Sequence, residues 1–122
     1  MNVWNSNKVV ASKEIPGVEF VITRMTFGRR LQLMERVRDL AARLEYFDAG
    51  REEKNRIEAS LLGAQLDRLY IDWGLSEIRG LELDGETATP RLLIDKGPEA
   101  LFQEALNAIK AECGLNEQER KN

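Results

Sequence analysis

In the segment FGRRLQLMERVRDLAARLEYF the apolar residues Phe27, Leu31, Met34, Val37, Ala41, Leu44 and Phe47 step by three or four positions. That is the interval at which side chains stack along one side of an α-helix. The run lasts for about six turns, and no other stretch of the chain predicts a helix as strongly. Thr26 stands ahead of it as an N-cap residue, and Asp48, Ala49 and Gly50 break it. The charged REEKNR then opens a second long helix, whose stripe includes Leu62, Leu66, Leu69 and Trp73 at heptad-like spacing. A link this short pairs the two helices antiparallel. The second helix also carries Ile57, Leu61, Ala64 and Gln65 on a further side, and Tyr70 and Ile71 widen its apolar surface near the end. The pair therefore offers more apolar area than one partner helix covers.

Before the helices, KVVAS and VEFVITRM are rich in β-branched and aromatic residues, and the Pro16-Gly17 pair between them marks a turn. A β-hairpin is the expected product. Val18, Phe20 and Ile22 alternate with Glu19, Val21 and Thr23 so imperfectly that both faces are expected to be partly covered. Trp4 is expected to pack on this hairpin.

Near the other end, Thr89 followed by Pro90 is an N-cap followed by a first-turn proline. Gly97 is expected to end that short helix in the left-handed conformation, and Pro98 to open another. Leu101, Phe102, Ala105, Leu106, Ile109 and Cys113 give this last helix an apolar side, with Glu104, Lys110 and Glu112 assigned to water. Gly114 stops it, Leu115 folds back as a capping contact, and Asn116 begins a polar tail as a further cap. The expected fold is α+β, mainly α, in one domain. A β-hairpin spans 1–25, a pair of long antiparallel helices 26–79, a turn and short helix 80–97, a shorter C-terminal helix 98–115, and the tail 116–122.

Catalytic chemistry finds little to work with. The chain has no histidine and a single cysteine, so triads based on histidine, His-based zinc sites and thiolate cages are all excluded. Cys113 falls on the apolar side of its helix and reads as a small buried side chain. Glu82, Asp84 and Glu86 lack the order of a calcium loop and read as a solvated turn. The glycines form no phosphate-binding loop. No enzyme activity, cofactor or metal is expected. The chain shows no apolar run long enough to span a bilayer and no secretion signal at its start, which points to cytoplasm.

Charge argues against nucleic acid as the partner. Residues 24–56 hold nine basic and six acidic side chains, whereas 57–122 hold seven and thirteen. The arginines at 29, 30, 36, 38 and 43 interleave with Glu35, Asp39 and Glu45, the pattern of a salt-bridged solvent face rather than a phosphate-tracking stripe.

The succession DWGLSEIRGLELDG, ATPRLLIDKGPEALFQEALNAIKAECGL and NEQERKN, over roughly the second half of the chain, resembles tail assembly chaperones of tailed bacteriophages. The resemblance implies a small helical adaptor in the cytoplasm of the infected bacterium. Such a protein binds the long tape-measure protein, keeps it soluble, helps tail-tube subunits assemble around it, and is absent from the finished virion. The surplus apolar surface suits that role, with Leu62, Leu66, Tyr70 and Trp73 as the expected partner-binding residues and Arg29 and Arg30 as rim charges. The same surface also allows a homo-oligomer. Two rival readings are a minor virion connector protein forming a ring and a small nucleic-acid-binding regulator.

Overall fold

A computed structural model describes residues 1–114. Its architecture is α+β, mainly α, with an N-terminal β-hairpin, long helices and a shorter C-terminal helix, as the sequence predicts. In chain order the elements are β1 (Asn7–Ala11), β2 (Glu19–Thr23), α1 (Phe27–Asp48), α2 (Glu53–Gly74), β3 (Leu75–Arg79), β4 (Glu82–Leu83), β5 (Glu86–Thr87), α3 (Pro90–Lys96) and α4 (Glu99–Glu112). The chain divides into two compact units, one of Met1–Met25 with the chain from Tyr70 on, the other of Thr26–Leu69. The expectations for Leu115, Asn116 and the tail lie outside the described residues.

In the first unit β1, β2 and β3 form an antiparallel sheet in that order. The hairpin closes through Gly17 at φ 90°, and Ser12 N donates to Val18 O at 2.8 Å. β2 is the central strand, and Val18, Phe20, Val21 and Ile22 are all buried. Cover on both faces is why their alternation is imperfect in the sequence. Each large side chain removed from water in this way stabilises the fold by about 1.5–3 kcal/mol. Trp4 does not join them. It precedes the first strand, no pairing carries it across the sheet, and it stays 60% exposed.

The second long helix stops at Gly74, and residues 75–79, expected to be helical, form β3 instead. The pairing of β2 with β3 shifts register between Val21 and Ile22, so that Val21 faces Glu77 and Ile22 faces Leu75. Ser76 is the extra residue of this bulge, and its hydroxyl donates to Val21 O at 3.1 Å. The bulge lets Leu75 and Ile78, three positions apart, both turn inward. At the helix-to-strand junction the backbone comes so close to α4 that a Cβ on Gly74 would lie 2.6 Å from Ile109 Cγ2. Only glycine allows that approach.

Asp84 and Gly85 both have positive φ, 51° and 80°, the paired left-handed geometry of a two-residue hairpin turn, and β4 and β5 flank them. The expected turn is therefore a complete small hairpin. Thr89 caps α3 as expected, its hydroxyl accepting from Leu92 N at 3.1 Å. Gly97, however, is extended at φ −78° and ψ 159°. A following proline disfavours other backbone conformations, and Pro98 occupies that position. On α4, Leu101, Ala105, Leu106, Ile109 and Cys113 are buried and Phe102 half-buried, and Gly114 stops the helix at φ 78°.

In the second unit Thr26 caps α1, its hydroxyl accepting from Arg29 N at 3.1 Å. Residues 49–52 link α1 to α2. A surface hollow there is lined by Tyr46 and Phe47 from the end of α1 and by Lys54, Asn55, Ile57 and Glu58 from the start of α2. The Tyr46 and Phe47 rings meet edge to face, with centroids 5.1 Å apart.

Candidate partner-binding surface

Two apolar rows run along α1, and the one that turns inward shares Val37, Leu44 and Phe47 with the predicted row but adds Leu33 and Leu40. Leu33 is buried, and Val37, Leu40, Leu44 and Phe47 are half-buried, stepping by four and three. Phe27, Leu31 and Met34 are 80%, 47% and 58% exposed, and Ala41 is exposed too. At 100° per residue this second row lies about a third of a turn around the helix from the first. These four residues of the predicted row stay outside the core, while Val37, Leu44 and Phe47 turn inward. Leu31, Met34, Glu35, Val37 and Arg38 line a shallow groove.

Helix α2 divides the same way. Ala59 and Leu62 are buried, and Leu66 and Leu69 are half-buried. Ile57 and Leu61 stand exposed, with Ala64 and Gln65 on the same side. These four are the further side that the sequence marked as surplus.

The partner-binding residues expected from sequence do not form one accessible surface. Leu62 is 1% and Trp73 is 5% exposed, so neither presents area to a partner while the protein is folded. Tyr70 is half-buried in the first unit, where Lys110 Nζ sits 5.7 Å from its ring centroid. The cation covers a ring face, so Lys110 is not the solvent residue that periodicity suggested. Leu66 and Arg29 are half-buried, and Arg30 is exposed. The physical reason is common to the apolar members: the most regular heptad row of a helix is the one the fold itself consumes.

Apart from the half-buried Arg29, charge on α1 is exposed, with Arg38 Nε 3.7 Å from Asp39 Oδ1. Such a pair contributes little in water. The carboxylates on α4 do more. Glu112 accepts from Met25 N at 2.8 Å and pairs with Lys8 Nζ at 3.2 Å. The Met25 amide, with Lys8 and Arg24 nearby, outweighs burial and holds the Glu112 carboxyl below its ordinary pKa. Glu104 accepts from the Ser12 hydroxyl at 2.5 Å and from Lys13 N at 2.6 Å. Burial alone would raise its pKa, but the Ser12 hydroxyl and the Lys13 and Glu14 amides together lower it. Both residues were assigned to water, and each instead ties α4 to the β-hairpin. Sequence spacing holds no signal for this, because their partners lie about ninety positions away.

Among the described residues, no group of three or more histidine, cysteine, aspartate or glutamate side chains is placed to hold a metal. None of the described helices is long and apolar enough to cross a membrane. No protein family, curated protein or solved structure matches this chain.

Proposed function

We propose that this chain is a non-enzymatic tail assembly chaperone of a tailed bacteriophage, which binds the tape-measure protein and keeps it soluble during assembly. The observation that carries the reading is the uncovered row Phe27, Leu31 and Met34 on α1, with Ile57 and Leu61 uncovered on α2. Large apolar side chains held in line on a rigid helix cost free energy in water unless something covers them. The intervals of four and three match the seam of a coiled coil, so the complementary partner is an amphipathic helix. A tape-measure protein, long and rich in such helices, exposes apolar stripes until the tail tube surrounds it. Covering them gains about 25 cal/mol per Å² of apolar area, less the cost of association. That balance suits a client which is held and later released. Arg30 and Arg38, exposed beside the row, steer acidic stretches of the client, and Glu35 selects against the opposite register. On this reading the protein acts in the bacterial cytoplasm, is absent from the finished virion, and has the tail-tube protein as a further partner.

Co-expression with the tape-measure protein tests the proposal. The wild type is expected to keep that protein in the soluble fraction, and the double variant Leu31→Glu with Met34→Glu to lose this effect while retaining its own helical content. Undiminished solubility with the variant rejects this row. Recovery of the chain from purified particles would favour a connector ring, and affinity for DNA that falls steeply with salt would favour the regulator.

A further inference from the structure

The two edges of the three-stranded sheet are treated differently. β3, at one edge, carries Glu77 and Arg79 exposed, is distorted by the Ser76 bulge, and has α3 beside it. These features prevent another strand from adding. β1, at the other edge, is a regular strand without proline, glycine or bulge. Its one charge, Lys8, is turned toward α4 and neutralised by Glu112 at 3.2 Å.

The hydrogen-bond pattern shows which backbone groups of β1 point outward. Arg24 N donates to Ser6 O and Ser12 N to Val18 O, both at 2.8 Å, so even-numbered residues bond to β2. By the alternation of an antiparallel ladder, the N–H and C=O groups of Asn7, Val9 and Ala11 face away from it. Among the described residues nothing bonds to them. Val9 is 49% exposed on this edge, and Val3 and Trp4, immediately before the strand, are 83% and 60% exposed.

We propose that β1 pairs antiparallel with β1 of a second copy of this chain, about a two-fold axis beside Val9, joining two sheets into one of six strands. In this register Val9 faces the partner's Val9, Asn7 faces the partner's Ala11, and Lys8 faces the partner's Val10. No like charges oppose, and each outward-facing pair exchanges two hydrogen bonds. The identical patch serves both sides, as a two-fold contact requires. Val3 and Trp4 continue the same edge and bring apolar area to a contact otherwise made of backbone. Self-pairing is favoured over capture of a foreign strand because the segment is complementary to itself in this one register. The proposal involves β1 and the residues just before it, and is independent of the row on α1.

Sedimentation of the full chain at rising concentration tests it. The wild type is expected to pass from monomer to dimer, and Val9→Lys, which sets two ammonium groups opposite each other at an exposed site, to weaken association about tenfold or more. The two-fold also places the Val9 Cα atoms about 5.5 Å apart, within disulfide range. Val9→Cys is therefore expected to give a covalent dimer on mild oxidation, and Asn7→Cys, off the axis, to give none. A wild type that remains monomeric at every concentration overturns the proposal. So does a dimer that survives Val9→Lys with its fold intact, or one that cross-links equally through residues 7 and 9.

Discussion

The sheet unit and the helical unit spend their apolar residues differently. In the first, β2 is covered on both faces and α4 buries a continuous side, so Phe20, Ile22, Ile71, Leu93, Leu101, Leu106 and Ile109 are all fully buried. In the second, only Leu33, Ala59 and Leu62 are buried, while Phe27, Leu31, Met34, Ile57 and Leu61 face solvent. A sheet with a helix on it makes a closed layer, whereas a surface helix buries only one stripe of its circumference. The lesson is that burial is unequal: the sheet unit holds the core, and the helical unit retains apolar surface that the fold does not use.

The largest effect expected from this contrast is at Phe20. Phe20→Ala should cost about 3–5 kcal/mol in chemical denaturation, since it empties a fully enclosed site. A cost below 1 kcal/mol would break the comparison at its stable end. Next is Gly74→Ala, where the added methyl meets Ile109 Cγ2. Overpacking costs about 1–3 kcal/mol, which exceeds the gain of about 1 kcal/mol in helix propensity. The variant should therefore be destabilised, and the added cost of Gly74→Ala should shrink in an Ile109→Ala background, which removes Cγ2. Stabilisation by Gly74→Ala alone would show that the junction is loosely packed.

A pH titration sharpens the comparison further. Glu104 and Glu112 have lowered pKa values in the folded state, so their contribution is complete above the unfolded value and is lost as pH falls through the lower, folded one. Stability should thus decline as pH drops below about 4.3. The Glu104→Gln and Glu112→Gln variants should be less stable at neutral pH and show a shallower decline in thermal melts taken across that range. Equal slopes in variants and wild type would rule out both ties. The smallest effect is expected at the exposed row, where Phe27→Ala or Met34→Ala should shift stability by no more than about 0.5 kcal/mol. A loss of several kcal/mol there would mean that the row is covered within the protomer.

Much of this architecture is legible in the sequence where local chemistry decides it. Thr26, Thr89 and Gly114 mark helix ends because side-chain oxygens and a left-handed glycine satisfy backbone groups a few residues away. β3 is illegible for a definite reason. The bulge at Ser76 spaces Leu75 and Ile78 three apart, and with Ile71 they mimic the four-and-three interval of a helix. The phase of α1 is ambiguous because two rows share Val37, Leu44 and Phe47, and only tertiary packing chooses between them. The same ambiguity hides which apolar residues stay accessible. Leu62 and Trp73 follow the better heptad and are consumed by the core, whereas Ile57 and Leu61, set down as a lesser stripe, remain accessible. At Asp84-Gly85 the hairpin signal was present, though the strands beside it are only two residues long.

α2 passes into β3 between Gly74 and Leu75 with no residue to spare. Along a strand, a slip by one position exchanges the two faces. An inserted or deleted codon at this junction would thus turn Leu75 and Ile78 outward and bring charged neighbours in, whereas residues 49–52 have room to absorb a change of length. Natural variation in chain length should accumulate at the helix link and be purged where helix becomes strand.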